Sequence, residues 1–324
     1  MAKAIRFQTP GGAEVLRLEE VPAGEPGPGQ ARVRHTAIGV NFIDTYHRTG
    51  LYPLPLPSGL GVEAAGVVEA VGSGVTHVKP GDRVGYAGGP PGSYSEARVM
   101  PADRLVRLPE WISDRQAAGA MLKGLTVWYL TRRTFPVKPG DTVLLHAAAG
   151  GVGLIACQWL KALGATVIGT VGSDEKAALA RAHGCDHAIV YTREDFVARV
   201  RELTKGAGVP VVYDAVGKAT FQGSLDCLRP RGLMVSFGNA SGPVPPVDLL
   251  QLSAKGSLFV TRPTLAAYTA TREELDGAAA ELFEVIRSGK VRIELTATYP
   301  LADAARAHRD LEGRRTTGSI LLLP

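Results

Sequence analysis

The chain has 324 residues, 45% of them hydrophobic, and a formal net charge of +5. This length favours two domains with large cores, and no apolar run reaches the ~18 residues needed to span a membrane. The basic residues are scattered, and only Arg132-Arg133 and Arg314-Arg315 are adjacent pairs. Because no basic run or aromatic-interleaved patch is present, the charge gives little support for nucleic-acid binding.

Targeting signals and cysteines bear on the location of the protein. The N-terminal sequence lacks the long apolar core of a secretory signal peptide. Cys157, Cys185 and Cys227 lie far apart and form no C-x-x-C pair. Such cysteines are typical of reduced core residues rather than of disulfides or metal ligands. We therefore expect a cytoplasmic protein.

Residues 1–110 predict a β-rich region. Short apolar or alternating runs predict strands over 4–7, 15–20, 31–38, 61–71 and 83–86. The Pro- and Gly-rich residues 22–30 predict a loop. The sequence Val-Lys-Pro-Gly-Asp occurs at 78–82 and again at 137–141, each time before a predicted strand, and its Pro-Gly pair favours a type II turn.

The segment 41–57 is rich in turn signals, among them Gly50, Pro53 and Pro57. These residues predict a loop. Two tyrosines, Tyr46 and Tyr52, lie in it. Their side chains could pack the loop against its domain or face a ligand, and the residues themselves leave both possibilities open.

The pattern changes from strands to helix at Ser113. Ser113 and Gln116 have the spacing of a capping box, and the helix-favouring residues that follow predict a helix continuing to Thr134. We place the boundary between the first and second domains at residues 122–126.

Residues 140–191 form the pattern around which the chain is organised. An apolar strand over 142–145 leads into the glycine-rich turn Ala148-x-Gly150-Gly151-Val152-Gly153, a helix over about 152–163 and a second strand over 165–171. This is the first half of a dinucleotide-binding unit, although Ala148 stands where the fingerprint usually has its first glycine. We assign a tight turn to Gly150, close approach to a pyrophosphate to Gly151, and helix–strand packing to Gly153.

The end of the second strand indicates which dinucleotide binds. An NAD site usually has an acidic residue here that bonds to the ribose 2′-hydroxyl, but this chain has Gly172, followed by Ser173 and Lys176. Both side chains can donate to a 2′-phosphate, which favours NADP. The alternative is that Ser173 only caps the next helix and Lys176 is solvated; Asp174 and Glu175 also lie close to the expected phosphate.

Strand and helix patterns alternate from here to residue 261. They predict helices over 174–182, 194–204 and 220–228, and strands over 187–190, 210–213, 232–237 and 257–261. This alternation predicts an α/β protein with a Rossmann-type, doubly wound parallel sheet. Helices over 272–288 and 303–312 and a strand over 319–323 follow. Because this tail has no complete sheet of its own, we expect it to return to the first domain.

Several motifs in order resemble the medium-chain dehydrogenase/reductase superfamily, and within it the zinc-free, zeta-crystallin-like NADPH:quinone oxidoreductases. They are Gly39–Tyr46, Gly50–Pro53, Lys123–Val127, His146–Gly153, Leu228–Asn239 and Val260–Pro263. The resemblance implies a β-rich, GroES-like catalytic domain over residues 1–124, a Rossmann NADPH-binding domain over 125–262, and a return to the catalytic domain over 263–324.

The resemblance also implies which residues contact NADPH. Beside the nicotinamide half it places Asn41, Phe42, Asp44, Thr126 and Tyr129; at the pyrophosphate, Gly150, Gly151 and Val152; around the 2′-phosphate, Gly172, Ser173, Lys176 and Tyr191; and in the rest of the cleft, Phe237, Gly238, Asn239, Arg262, Pro263, Thr264 and Arg314. Tyr129 and Phe237 could instead be core aromatics, and Arg315 could replace Arg314.

The zinc ligands of the alcohol-dehydrogenase branch are missing. Val62 occupies the position of that branch's histidine, and its cysteines have no counterpart at Asn41 or near Lys123. Glu63 alone cannot hold zinc, which needs three or four ligands. We therefore expect no metal.

Without a metal to acidify an alcohol, the sequence favours an acceptor that takes hydride readily. The resemblance implies NADPH-dependent reduction of quinones, in which the protein mainly positions the reactants. Tyr46 and Tyr52 are then candidates for positioning the substrate. One alternative is reduction of α,β-unsaturated ketones or aldehydes. Another, of a different class, is an NADPH-binding structural or RNA-binding crystallin-like protein.

The last strand of the predicted parallel sheet, residues 257–261, is short and apolar. An exposed edge of this kind can pair with another chain. We expect a homodimer in which two copies of this edge join about a two-fold axis, as the resemblance also implies.

Overall fold

The structure, a computed structural model, describes every residue from Met1 to Pro324 and divides into two compact units. The β-rich unit comprises Met1–Leu125, Thr269–Ala279 and Ile293–Pro324, and the nucleotide unit comprises Thr126–Tyr268 and Ala280–Arg292. The domain limits given above stay a prediction. They differ from these units most at residues 280–292, which belong to the nucleotide unit.

Sixteen strands are present. In chain order they are β1 Ala2–Phe7, β2 Arg17–Val21, β3 Gln30–Val40, β4 Ser58–Gly59, β5 Glu63–Val71, β6 Arg83–Ala87, β7 Ala97–Pro101, β8 Val106–Arg107, β9 Thr142–Leu145, β10 Thr166–Val171, β11 His187–Val190, β12 Val209–Asp214, β13 Leu228–Ser236, β14 Phe259–Thr261, β15 Leu295–Pro300 and β16 Ser319–Leu323.

Ten α-helices are also present. They are α1 Phe42–Thr49, α2 Asp114–Tyr129, α3 Gly151–Ala162, α4 Asp174–Ala182, α5 Phe196–Leu203, α6 Phe221–Cys227, α7 Leu250–Ala254, α8 Leu265–Tyr268, α9 Arg272–Arg287 and α10 Ala304–Glu312. A π-helical turn, Leu130–Thr134, directly follows α2. None of the helices is both long enough and apolar enough to cross a membrane.

The nucleotide unit contains one sheet of six parallel strands in the order β11-β10-β9-β12-β13-β14. Numbered from β9, this is the order 3-2-1-4-5-6 of a dinucleotide-binding fold. Its central strands β9, β10 and β12 are mostly buried, as in Val209–Asp214, where all six residues are buried. The predicted α/β class and doubly wound sheet are confirmed.

The β-rich unit contains a three-stranded sheet, β2-β1-β4, and a seven-stranded sheet in which β15-β16-β3-β5-β6-β8 are neighbours and β7 also pairs with β3. The C-terminal strand β16 runs antiparallel to β3, with Ile320 opposite Val40. The last strand of the tail therefore lies in the β-rich unit, whereas residues 280–292 of the tail belong to the nucleotide unit. Buried side chains such as Phe7, Ile38, Tyr86 and Leu322 form the core of the β-rich unit.

Local signals predicted several details correctly. The Ser113 hydroxyl accepts from the Gln116 N–H at 3.2 Å, while the Gln116 side chain accepts from the Ser113 N–H at 3.2 Å, which completes the capping box. Both repeated turns have a glycine with positive φ at the third position, Gly81 at 90° and Gly140 at 87°, as a type II turn requires.

The predicted loop over 41–57 is wrong in its first half, because residues 42–49 form α1. The turn signal at Gly50 marks the helix end, where it adopts φ 79°. Strands β7 and β15 were not predicted. Strand β14 begins at Phe259 instead of residue 257, because Ser257 takes a left-handed conformation with φ 58°.

Candidate active site

The glycine-rich turn joins β9 to α3 in the nucleotide unit. Gly153 allows the helix to pack against the turn, since a Cβ on it would lie 2.2 Å from the Ala147 oxygen. The role assigned to Gly150 needs correction: its φ of −78° suits any residue, and Ala147, with φ 56°, makes the left-handed bend. Glycine at position 150 instead avoids a close contact, because a Cβ there would lie 3.3 Å from the Ala147 oxygen. Gly151 and Val152 begin α3, where the first N–H groups of a helix have no acceptor within it.

The segment after β10 contains the residues expected around the adenosine. A Cβ on Gly172 would lie 3.0 Å from the Tyr191 hydroxyl, so an acidic side chain does not fit there without moving Tyr191. The Ser173 hydroxyl caps α4 by accepting from the Lys176 N–H at 3.3 Å. The exposed Asp174 is paired with Arg193, which holds the pKa of its carboxyl below the usual value.

The loop after β13 carries three more of the predicted contacts. Gly238 packs tightly there, since a Cβ on it would lie 2.4 Å from the Ala215 oxygen, and it lies between the half-buried Phe237 and Asn239. The Arg262 guanidinium donates to the Gly238 carbonyl at 3.0 Å and to the Ser236 hydroxyl at 3.2 Å. The structure thus joins this loop to the segment after β14.

Pro263 is half-buried and Thr264 exposed, and α8 follows them. Tyr268, at the end of α8, stacks on Tyr129 with ring centres 4.9 Å apart and planes 10° apart. Tyr129 is only 3% exposed, and Thr126, one turn earlier on α2, is half-buried. Sequence reasoning missed Tyr268, because no local signal marks a ring that stacks on a distant one.

Four buried polar side chains underlie the turn, and sequence reasoning missed them too. The His146 ring bonds to the Thr170 hydroxyl and to the Ser224 hydroxyl, each at 2.9 Å. Ser224 donates to Asp214 at 3.0 Å. Burial lowers the pKa of His146, so the ring is neutral. His146 and Asp214 lie at the carboxyl ends of adjacent strands, β9 and β12, which is the signal that could have found them.

In the β-rich unit, the predicted residues Asn41 and Asp44 lie in a buried polar cluster with Glu63 and Lys123. Glu63 Oε2 accepts from Asn41 Nδ2 at 2.8 Å and from Lys123 Nζ at 3.2 Å, while Oε1 accepts from the Leu122 N–H at 2.7 Å. A Cβ on Gly39 would lie 2.1 Å from Glu63 Oε2, so the carboxylate closely covers the end of β3.

Next to this cluster is a group of aromatic rings. The rings of Tyr46 and Tyr52 meet edge to face at 5.3 Å, and Phe42 lies 6.4 Å from Tyr46. Tyr46 is 8% exposed and Tyr52 is half-buried. The two tyrosines therefore pack on one another, and a substrate-positioning role for either stays a prediction.

Arg314 is exposed and has φ 56° at the residue after α10 and Gly313. Its neighbour Arg315 pairs with Asp310 at 3.1 Å. Arg315 therefore already has an ion-pair partner within its own unit.

Comparison with known proteins identifies the family. Residues 27–110 match the alcohol dehydrogenase GroES-like domain, and residues 151–282 match the family described as zinc-binding dehydrogenase. The chain is 60% identical to a quinone oxidoreductase of Pseudomonas aeruginosa, over 100% of both chains. It belongs to the quinone oxidoreductases. This places it in the medium-chain dehydrogenase/reductase superfamily.

Two further relatives of this quinone oxidoreductase bear on its chemistry. The solved structure of Escherichia coli quinone oxidoreductase complexed with NADPH is 55% identical, covers 99% of this chain and 100% of its own, and superposes with a TM-score of 0.98. A 2-haloacrylate reductase of a Burkholderia species is 50% identical, over 100% of this chain and 99% of its own.

The name of the matching dehydrogenase family mentions zinc, but in this chain the Glu63 carboxylate forms a salt bridge with Lys123. Both oxygens of Glu63 accept from protein N–H groups, one of them on the cation Lys123. No three side chains among the chain's His, Cys, Asp and Glu residues are grouped so that they could hold a metal ion.

Proposed function

We propose that this protein reduces quinones with NADPH by direct hydride transfer, without a metal. The observation that carries the proposal is the 60% identity over the full length to a quinone oxidoreductase. The E. coli relative, complexed with NADPH, has the same fold at a TM-score of 0.98. The nucleotide unit has a glycine-rich turn before α3, and in the β-rich unit the Glu63 carboxylate accepts from the Asn41 side chain.

Three observations support the binding of NADPH to the nucleotide unit. Gly153 leaves no room for a side chain between helix and turn, Gly172 lies close to the Tyr191 hydroxyl, and the N-terminus of α3 favours an anion. We propose that Gly150, Gly151 and Val152 hold the pyrophosphate. We assign the 2′-phosphate to Gly172, Ser173, Lys176 and Tyr191, and the remaining contacts to Phe237, Gly238, Asn239, Arg262, Pro263, Thr264 and Arg314.

When bound, the nicotinamide supplies a hydride to the acceptor. The protein's part is to hold the reactants in contact, a contribution that requires no acid–base residue of its own. We propose that Asn41, Phe42, Asp44, Thr126 and Tyr129 position the nicotinamide. Tyr46 and Tyr52 position the quinone through their rings and hydroxyls.

The test is NADPH oxidation, followed by its near-ultraviolet absorbance, with ortho-naphthoquinone as acceptor. Parallel reactions with a 2-haloacrylate and an α,β-unsaturated ketone decide the acceptor class, because the Burkholderia relative is a 2-haloacrylate reductase. We expect faster turnover with the quinone. The absence of quinone turnover, together with salt-sensitive retention of RNA, would instead favour the RNA-binding alternative.

We propose further that two copies pair along β14. This strand is at the edge of the parallel sheet, and Phe259 and Val260 on it are 61% and 40% exposed. Leu249 and Leu250, on the same unit, are also exposed. Exposed apolar groups beside an unpaired strand edge favour a self-complementary interface.

Sedimentation at micromolar concentration tests the homodimer. We expect a dimer for the wild type and a shift towards monomer for Phe259→Asp. Leu18→Asp, which also places a charge on an exposed apolar position but in strand β2 of the other unit, is the matched control and should stay dimeric. A wild-type protein that sediments only as a monomer would contradict the proposal.

We place the enzyme in the cytoplasm. Its three cysteines are buried free thiols, which supports a reducing compartment.

A further inference from the structure

Asp44 is a fully buried carboxylate whose two oxygens have different surroundings. Oδ2 accepts from the Asn41 backbone N–H at 2.8 Å and from the Tyr94 hydroxyl at 2.9 Å. Oδ1 is also buried but has no hydrogen-bond partner. Buried polar atoms are rarely left without a partner, because each costs free energy. Oδ1 is therefore the atom of this cluster whose role the fold does not explain.

A chain of side chains fixes Asp44 from behind. His308 Nε2 lies 3.1 Å from the Tyr94 hydroxyl, and His308 Nδ1 lies 3.0 Å from the Arg48 guanidinium. Arg48 has no acceptor lone pair, so Nδ1 is the acceptor, Nε2–H donates to Tyr94, and Tyr94 donates to Asp44. Arg48 also pairs with Glu312 at 2.7 Å. Because arginine does not release its proton, this chain orients Asp44 and does not carry protons to it.

The charges around Asp44 do not balance once it ionises. Lys123 on α2 faces Glu63 on β5 at 3.2 Å, and those two charges offset each other. On the other side, the charge of Arg48 on α1 is offset by Glu312 on α10, while His308 on α10 is neutral because burial lowers its pKa to about 3. Tyr94 also faces Asp44, and burial raises its pKa well above the usual value, so it stays protonated.

Asp44 thus has no cation of its own. Burial raises its pKa to about 7; the hydrogen bonds from Asn41 and Tyr94 and the charge of Lys123 act against this rise, and the charge of Glu63 adds to it. Near neutral pH the carboxyl changes from neutral to a buried negative charge without a partner. Because Asp44 is fully buried, a positively charged ligand near the cluster would offset this charge through space and not by direct contact.

We propose that ionised Asp44 is the counter-charge of the nicotinamide ring of the bound cofactor. The inference rests on the proposed function, which places Asp44 beside that ring. The ring is neutral in NADPH and carries one positive charge in NADP⁺. Opposite charges attract strongly where water is excluded, so ionised Asp44 favours the oxidised cofactor over the reduced one. It also favours hydride transfer, because the departure of the hydride leaves positive charge on the ring.

The test measures the dissociation constants of NADP⁺ and NADPH by titration calorimetry, at several pH values between about pH 6 and pH 8. Their ratio is the informative quantity, because ionisation of the 2′-phosphate, common to both nucleotides, cancels from it. We expect the affinity for NADP⁺ relative to NADPH to rise about tenfold as the pH increases across this range, equivalent to a shift of about one pKa unit in Asp44. For Asp44→Asn, the ratio should not depend on pH.

A second variant keeps the carboxylate, in case Asp44→Asn fails to fold. Tyr94→Phe removes one donor that favours the ionised form, so the pH at which the ratio changes should move upwards. Tyr299→Phe is the matched control, because it removes a tyrosine donor to Asp310 at 3.0 Å in the same unit. It should leave that pH unchanged.

Proton release gives an independent readout. In a weakly buffered solution near pH 7, binding of NADP⁺ to wild-type protein should release more protons per site than binding of NADPH, by about 0.4 proton. Tight binding of both nucleotides with a ratio that does not depend on pH would overturn this inference alone. Failure to bind either nucleotide at any pH would overturn the proposed function, and this inference with it.

Discussion

Asp44 in the β-rich unit and Asp214 in the nucleotide unit are both fully buried, yet their oxygens are occupied differently. Asp214 Oδ1 accepts from the N–H groups of Val216 and Gly217, and its Oδ2 accepts from the hydroxyls of Thr220 and Ser224. Asp44 has one oxygen with two donors and one with none.

This difference separates a structural carboxylate from one that can interact with a ligand. The four donors to Asp214 come from the loop after β12 and from α6, so its charge is used within the fold. Asp44 uses only one of its two oxygens in this way. A fully satisfied buried network stabilises a structure, whereas an incomplete one costs free energy that folding alone does not explain.

The largest expected effect is on stability and tests the structural role of Asp214. Asp214→Ala leaves buried N–H and hydroxyl donors without an acceptor, so the free energy of unfolding should fall by about 3–5 kcal/mol. Chemical denaturation measures it. Asp174→Ala, which removes an exposed ion pair to Arg193, should lower it far less, because water screens exposed charges. Equal losses for the two variants would remove the basis for calling Asp214 structural.

His35 extends the comparison, because it is a buried titratable group of the β-rich unit with both ring nitrogens bonded, to the Ser95 carbonyl and the Tyr86 hydroxyl. Burial lowers its pKa from 6.5 to about 4. The unfolded chain therefore binds more protons between these values, and His35 makes stability fall as the pH decreases from about 6.5 to 4, by about 3 kcal/mol.

His35→Gln should reduce that acid-side slope, measured as unfolding free energy against pH. It should leave the pH dependence of the NADP⁺ to NADPH ratio unchanged. If His35→Gln altered the nucleotide ratio as Asp44→Asn does, the distinction between satisfied and unsatisfied groups would fail.

Lys176, near the start of α4, tests the assignment of the 2′-phosphate in the nucleotide unit. Lys176→Ala should weaken NADPH binding by about 10- to 100-fold and leave NADH binding nearly unchanged, because one hydrogen bond to a charged group is worth about 1.5–3 kcal/mol. Lys161→Ala, which removes another lysine from the same unit and breaks an ion pair to Asp186, should affect neither. An equal loss for NADPH and NADH would assign Lys176 a structural role.

The smallest effect concerns Tyr52. Tyr52→Phe should lower kcat/KM for the quinone by about tenfold or less, the size of one ordinary hydrogen bond, because water can protonate the reduced product. Tyr52→Ala should do more damage through the loss of its ring contact with Tyr46. A fall of ~100-fold or more for Tyr52→Phe, with NADPH affinity intact, would instead identify an acid catalyst in the β-rich unit.

Elements with strong local signals could be predicted from the sequence. Helix α4 and strands β11 and β16 have the predicted bounds, because apolar periodicity and end signals agree there. The sequence does not predict helix α1, because its start has an Asn and an Asp instead of the usual capping pair and Gly50 at its end is equally typical of a loop.

The buried networks could not be predicted, for a different reason. Tyr94 and His308 contact one another although they lie far apart in the chain. Such residues come together only when β16 pairs with β3 and α10 packs against the β-rich unit. The motifs predict that Asp44 lies beside the nicotinamide. They did not reveal that one of its oxygens has no partner, since that depends on every element packed around it.

The pairing of β16 with β3 also constrains the order of biosynthesis. Strand β3 lies before every residue of the nucleotide unit and β16 lies after all of them. A ribosome must therefore complete the whole nucleotide unit before the seven-stranded sheet can close. During that interval the edge of β3 that β16 will cover is unpaired, and the nascent chain depends on its earlier partner strands or on a chaperone to protect it from aggregation.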